Sequence, residues 1–215
     1  MSFCLCLLLA APVFSQSVGE RLRGVEKRYN AIKTLQASFI QNYQFQGRKR
    51  PPESGKLYLL RPGKMRWEYS QPAGKLFVTD GKDVYFYSPA TNRVEKSKFK
   101  ESADFRAPLA FLLGRLDFNR DFKEYRSSPE GANLRIRAIP KSDKSPYKDI
   151  EFVLTPANGI SQVKVTGQDG SVMEFAFSGE ARNTPLAASL FQFQAPAGAE
   201  MVDVEEPGAE GNQED

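Results

Sequence analysis

The sequence predicts a mainly β protein: one strongly curved antiparallel sheet with helices against one of its faces. Three observations lead there. Apolar and polar residues alternate in short runs along most of the chain, and the dipeptides Asp80-Gly81, Asn158-Gly159 and Asp169-Gly170 separate such runs with hairpin chemistry. Helical patterns do not alternate regularly with the strands, which argues against a parallel βαβ sheet. With 215 residues, 40% of them hydrophobic, the chain is long enough for one domain with a real core, and no linker divides it.

Residues 1–16 contain an apolar run that ends in small residues, too short to span a bilayer and of the length of a signal-peptide core. We expect cleavage near Ser15-Gln16, an exported protein, a folded domain over 17–199 and an acidic, disordered tail over 200–215. Both cysteines, Cys4 and Cys6, fall in the signal, so the mature chain needs no disulfide.

Ser17 and Glu20 have capping-box spacing, and Val18, Leu22, Val25, Tyr29 and Ile32 follow at helical intervals, so an amphipathic helix opens the mature chain and covers a sheet face. A long strand follows, with Phe39, Gln41, Tyr43 and Phe45 on one face; it ends in the basic, proline-containing loop Gly47 to Pro52. Next comes a four-strand meander. Leu57 and Leu59 lead into Arg61-Pro62-Gly63; Met65, Trp67 and Tyr69 alternate with Arg66 and Glu68; Leu76 and Val78 lead into Asp80-Gly81; Val84 and Phe86 lead into Ser88-Pro89. Its apolar face is aromatic and must be covered by core or by ligand.

Arg93 to Phe99 reads as a polar strand. In the apolar stretch that follows, Pro108 suits a first helical turn, Gly114 suits the position after a helix, and Phe105, Leu109, Leu112 and Leu113 sit at helical spacing. A short helix there would act as a plug or lid over the sheet. Alternation returns at Leu134, Ile136 and Ala138, at Ile150, Phe152 and Leu154, at Val163 and Val165, and at Met173, Phe175 and Phe177. Leu190, Phe191 and Phe193 close the ordered part, and the pattern amounts to ten or eleven strands with two or three helices.

Charge is uneven. Seven acidic residues and no basic one lie between Glu200 and Asp215, which leaves thirty basic against nineteen acidic residues before them, a net charge of +11. The cations are spread over strand faces, not gathered into a groove-tracking stripe, so a nucleic-acid partner is not expected. The chain has no histidine, and with no mature cysteine it lacks the usual nucleophile–base pairs and zinc ligand sets. Glu68, Asp80, Asp83 and Glu95 could in principle pair as catalytic carboxylates, but Glu68 lies on a polar face and Asp80 and Asp83 flank a turn. We expect no enzyme, no cofactor and no metal. What remains is apolar surface: sixteen Phe, eight Tyr and one Trp, enough to wall a cavity for acyl chains. The expected wall is Leu57, Leu59, Met65, Trp67, Leu76, Val78, Val84 and Phe86, closed by Phe105, Leu109 and Leu112.

In order along the chain, Leu35-Gln36-Ala37-Ser38-Phe39 with Gln41, then Gly55, Leu57, Arg61-Pro62, Trp67, Val78-Thr79-Asp80-Gly81-Lys82, Tyr85-Phe86-Tyr87 and Pro89 resemble the LolA family of periplasmic lipoprotein carriers. So do Phe111-Leu112-Leu113, Phe152-Val153-Leu154-Thr155-Pro156 and the stretch from Phe191 to Gly198. The resemblance implies an incomplete barrel whose concave apolar face is closed by helices and holds lipoprotein acyl chains. It further implies a monomer, loaded by an inner-membrane transporter and unloaded by an outer-membrane receptor, in which Arg61 bonds to the lid and favours the closed state. The same half-barrel also serves carriers of other lipids and lipoprotein-sensing regulators of envelope stress. The basic loop Arg48–Pro52 and the acidic tail have no counterpart in that family pattern.

Overall fold

The structure, a computed structural model, describes residues 17–99, 116–143 and 145–204. The expected signal peptide, the expected helix with Phe105, Leu109 and Leu112, and the chain beyond Val204 lie outside the described residues.

Helix α1, Val18–Asn30, starts where the capping box places it: Glu20 donates its backbone N–H to Ser17 Oγ at 3.2 Å, and Ser17 N–H donates to Glu20 Oε2 at 2.9 Å. Long strand β1, Thr34–Phe45, follows, and a two-residue turn joins it to the short β2, Arg48–Lys49. The meander is β3, Glu53–Leu60, β4, Lys64–Gln71, β5, Leu76–Thr79, and β6, Asp83–Ser88, with β7, Arg93–Lys98, beside it. A single turn, α2, Phe118–Asp121, leads into β8, Phe122–Glu130, then β9, Asn133–Pro140, β10, Tyr147–Leu154, β11, Ile160–Gly167, and β12, Val172–Arg182. A 3-10 helix, Ala188–Phe191, and β13, Glu200–Asp203, complete the described chain.

All the described strands belong to one sheet, ordered β13-β7-β6-β5-β4-β3-β1-β12-β11-β10-β9-β8, with β2 paired to β1. The pairings are antiparallel except that of β13 with β7. The path is open, since β13 and β8 end it without pairing to each other. The β1–β12 pairing joins the N-terminal and C-terminal meanders into one curved surface. On one face Leu35 and Phe39 of β1, Leu57 and Leu59, Met65 and Trp67, Phe77, Val84, Ile136, Ile150, Phe152, Val163, Val165 and Phe175 form a continuous core with Leu22, Val25 and Tyr29 of α1. That face is the concave one, and α1 lies in it.

Three elements differ from the sequence reading. Leu76 and Val78 do not share the face of Trp67: Trp67 stands opposite Phe77 and Met65 opposite Thr79, so Phe77 and Thr79 point into the core while Val78 pairs with Arg66 and Leu76 with Glu68 on the outer face. Alternation could not reveal the phase, because Leu76-Phe77-Val78 is apolar on both sides. Both sides are covered. Arg66 Nη1 donates to Leu190 O at 3.3 Å, Tyr85 stacks on Phe193 with ring centroids 4.7 Å apart, and Phe191 is buried, so the C-terminal segment straps across the outer face of β4 to β7.

Strand β8 has no counterpart in the sequence pattern. A register shift between Phe122 and Glu124 breaks its alternation, and its position at the sheet edge tolerates Pro129. The segment read as the start of the acidic tail instead forms β13, where Glu200 stands opposite Arg93 and Asp203 opposite Lys96, so its charges are complementary to those of the strand it joins.

Candidate functional site

The concave face is built by the period of two. In β1 it takes Leu35, Ala37, Phe39 and Gln41, in β4 Met65, Trp67 and Tyr69, and in β12 Met173, Phe175 and Phe177. Trp67, 2% exposed, stands at its centre, with ring centroids 4.7 Å from Phe39, 5.2 Å from Phe175 and 6.3 Å from Phe177. Its indole N–H reaches Met65 Sδ at 2.9 Å.

Gly55 of β3 makes this wall possible. Its neighbours across the strands are Phe39 and Tyr69, whose rings meet at 5.0 Å, and a Cβ at Gly55 would lie 2.0 Å from Glu68 O. Buried polar groups on this face are satisfied: Tyr69 Oη donates to Gln41 Oε1 at 2.8 Å, Gln41 Nε2 donates to Met173 Sδ at 3.6 Å, and Thr79 Oγ1 accepts from Gly81 N–H at 3.2 Å.

Of the wall expected from sequence, Leu57, Leu59, Met65, Trp67, Val84 and Phe86 meet on this face, and Leu76 and Val78 do not. Phe39, Tyr69, Phe77, Phe175 and Phe177 belong to it as well. The phase of β1 and β12 carried the signal for Phe39, Phe175 and Phe177, but the opposing strands alone could give the register.

Helix α1 packs on this face. Leu22, Val25 and Tyr29 supply its apolar stripe, and a polar latch holds its length. Arg21 donates to Pro156 O at 3.0 Å and to Thr155 O, Arg28 donates to Ala157 O at 3.3 Å and pairs with Glu180, and Tyr29 Oη donates to Glu180 Oε2 at 2.9 Å while accepting from Ile160 N–H at 2.8 Å. Burial first, and Glu180 second, push the Tyr29 phenol well above its ordinary pKa, so the hydroxyl keeps its proton and donates. At the helix end Asn30 exchanges two hydrogen bonds of 2.8 Å with Leu116, and Glu26 accepts from Phe118 N–H at 2.7 Å.

Gly24 meets the β10–β11 turn so closely that a Cβ there would lie 2.5 Å from Asn158 Nδ2. Between α1 and the sheet, beside Leu35, Leu57, Val163 and Phe177, there is a gap of about 20 Å³, room for one water-sized molecule. Arg61 sits half-buried at the β3–β4 turn, where its backbone N–H donates to Lys33 O at 2.9 Å and burial lowers the guanidinium pKa.

Among the described residues no helix is long and apolar enough to cross a membrane, and no three metal-ligating side chains converge. An open, curved, mainly antiparallel sheet with an apolar face covered by a helix is the architecture of a class of protein: carriers of apolar cargo.

The family model for outer membrane lipoprotein carrier protein LolA matches residues 30–194, and the chain belongs to that family. Outer-membrane lipoprotein carrier proteins of Chromobacterium violaceum and Nitrosomonas europaea are 30% identical over 194 residues and 29% identical over 198 residues. The first alignment covers 90% of this chain and 91% of the relative, the second 91% and 93%. A conserved protein of Thermus thermophilus shares the fold with a TM-score of 0.52 at 18% identity, covering 88% of this chain and all of that one. The family consists of periplasmic carriers, not enzymes.

Proposed function

We propose that this lipoprotein carrier takes acyl chains into its concave face by exchanging them for α1. The observation that carries the reading is the helix itself: an apolar stripe in an apolar cup, held at its polar edges by a latch of separable hydrogen bonds. Burial of Leu22, Val25 and Tyr29 stabilises the closed state by about 5–9 kcal/mol, which some six to eleven methylenes match at about 0.8 kcal/mol each. The latch adds its hydrogen bonds to this cost, so the acyl chains of the cargo together displace the helix and supply the net affinity. The cost of opening keeps affinity moderate, so a partner with a more accessible apolar site can remove the cargo.

Leu57, Leu59, Met65, Trp67, Val84 and Phe86 line the path of the chains in this reading. Arg61, half-buried beside the cup, favours the closed state; Arg61→Leu shifts the population toward the open form and retains cargo. An inner-membrane transporter is the donor and an outer-membrane receptor the acceptor. Export by a cleaved signal ahead of Ser17 brings the chain to them.

The reading is tested by native mass spectrometry of the protein purified from periplasm without detergent, followed by binding of a synthetic acylated peptide. Co-purified lipoprotein, or saturable uptake of the peptide with loss of α1 protection in hydrogen exchange, is the expected result. A clean apo mass with no peptide uptake overturns it.

A further inference from the structure

The β1–β2 hairpin carries none of the residues to which the proposed exchange assigns a role. Its turn residues Gln46 and Gly47 have φ of 48° and 77°, the paired positive values of a type I′ turn, and the register Gln44 with Lys49 and Phe45 with Arg48 closes it tightly. Residues 46–52 are all exposed. Three consecutive cations, Arg48, Lys49 and Arg50, are therefore exposed beside the end of β1: Arg48 and Arg50 share the face of Phe45 and Tyr43, Lys49 lies with Gln44 on the other, and Pro51 and Pro52 stiffen the return.

None of the three makes an ion pair with a described carboxylate. Glu53, the nearest acid in sequence, is engaged by Lys75, and Glu174 of β12 lies across a groove from Lys49. Arg50 lies over the Tyr43 ring, 4.6 Å from its centroid, and Phe45, half-buried, stands beside Arg48. Cations beside aromatic rings on a tightly closed, exposed hairpin match the boundary between headgroups and acyl chains, where guanidinium groups meet phosphates and the rings reach the apolar edge.

The geometry points to a membrane-docking function for this hairpin: Arg48, Lys49 and Arg50 bind the anionic phospholipid surface of a bilayer and hold the carrier at it transiently. A membrane fits the two arginines beside the Tyr43 and Phe45 rings, a cation–aromatic set of the kind that lies at a headgroup boundary, while Lys49 on the opposite face borders the groove with Glu174 and adds its charge alone. Each cation brought to an anionic surface strengthens binding about fivefold, so the three together contribute on the order of a hundredfold at low salt. Screening makes the attachment reversible: at about 1 M salt the Debye length shrinks to about 3 Å and the contribution disappears.

The test uses the cargo-free full chain and vesicles, so it stands or fails independently of the acyl-exchange reading. Co-sedimentation is measured with vesicles of phosphatidylcholine alone and of phosphatidylcholine mixed with phosphatidylglycerol. Arg48→Gln/Lys49→Gln/Arg50→Gln is compared with Arg23→Gln/Lys27→Gln/Lys33→Gln, which removes the same charge from exposed positions of α1 and the loop after it. Circular dichroism verifies that both fold. The expected result is salt-sensitive binding to the anionic vesicles alone, lost on the order of a hundredfold in the hairpin variant and largely kept in the other. Equal losses in both variants would assign the effect to total charge and overturn the proposal. So would binding that the hairpin variant retains. Absence of vesicle binding, with cargo loading nonetheless impaired in the hairpin variant, would assign the tip to an acidic protein partner and overturn it too.

Discussion

Replacing Tyr29 by phenylalanine removes one oxygen from the latch and leaves the ring in the core. That oxygen donates to Glu180 and accepts from the buried N–H of Ile160. A hydrogen bond to a charged group contributes about 1.5–3 kcal/mol, and a buried N–H left without a partner costs about 1–3 kcal/mol. The two overlap, so Tyr29→Phe destabilises the closed state by about 2–4 kcal/mol, and at about 2–4 °C per kcal/mol for a chain of this size the melting temperature falls by about 5–15 °C. If α1 leaves the cup when cargo enters, the open state has already given up these bonds and is not destabilised. The apparent affinity for an acyl probe then rises, by about thirtyfold for 2 kcal/mol, until the open state dominates unaided. The assay is titration of a fluorescent fatty acid into wild type and variant, paired with thermal melts. A lowered melting temperature with unchanged affinity would refute the reasoning, because it would mean that the helix stays seated when cargo binds.

Gly55→Ala places a methyl group 2.0 Å from Glu68 O in the sheet itself, so it destabilises open and closed states alike; we expect a loss of about 1–3 kcal/mol in urea unfolding with no gain in probe affinity. Phe191→Ala removes the buried anchor of the C-terminal strap and costs about 3–5 kcal/mol, with increased hydrogen exchange in β13 ahead of the β1–β12 pair. Burial raises the phenol pKa of Tyr125 to about 12 and that of Tyr29 further, so both stay protonated when folded. Groups whose folded pKa lies above the unfolded value of about 10 contribute stability that is complete below pH 10 and is lost as pH rises through the folded pKa. Absorbance titration should therefore show these two tyrosinates appearing together with unfolding, not before it; early ionisation of either in Tyr→Phe difference spectra would contradict their burial.

The strands legible in the sequence were those with one wet face. β4 alternates Met65, Trp67 and Tyr69 with Arg66 and Glu68, and its phase could be read directly. In β5 three apolar residues in a row leave the phase undetermined, because the outer face is covered by a strap more than a hundred residues away in the chain. β8 escaped notice because its bulge moves the apolar residues off the period of two. β13 reads as tail because its acidic side chains become favourable only beside Arg93 and Lys96. The site follows the same division. The aromatic face was legible strand by strand, and the capping box gave the start of α1. The latch was not, since Arg28, Tyr29 and Glu180 are brought together only by the register of β1 with β12 and by the seating of the helix.

The exchange of α1 for cargo is tested most directly by fixing the helix in place. Gly24 faces Asn158 closely enough for a disulfide in Gly24→Cys/Asn158→Cys, and no other cysteine lies in residues 17–215. Binding of an acyl probe is measured in the oxidised and the reduced protein. The account predicts that the oxidised form does not take up the probe and that reduction restores uptake to the wild-type level. Equal uptake by the oxidised form would show that acyl chains bind without displacing α1.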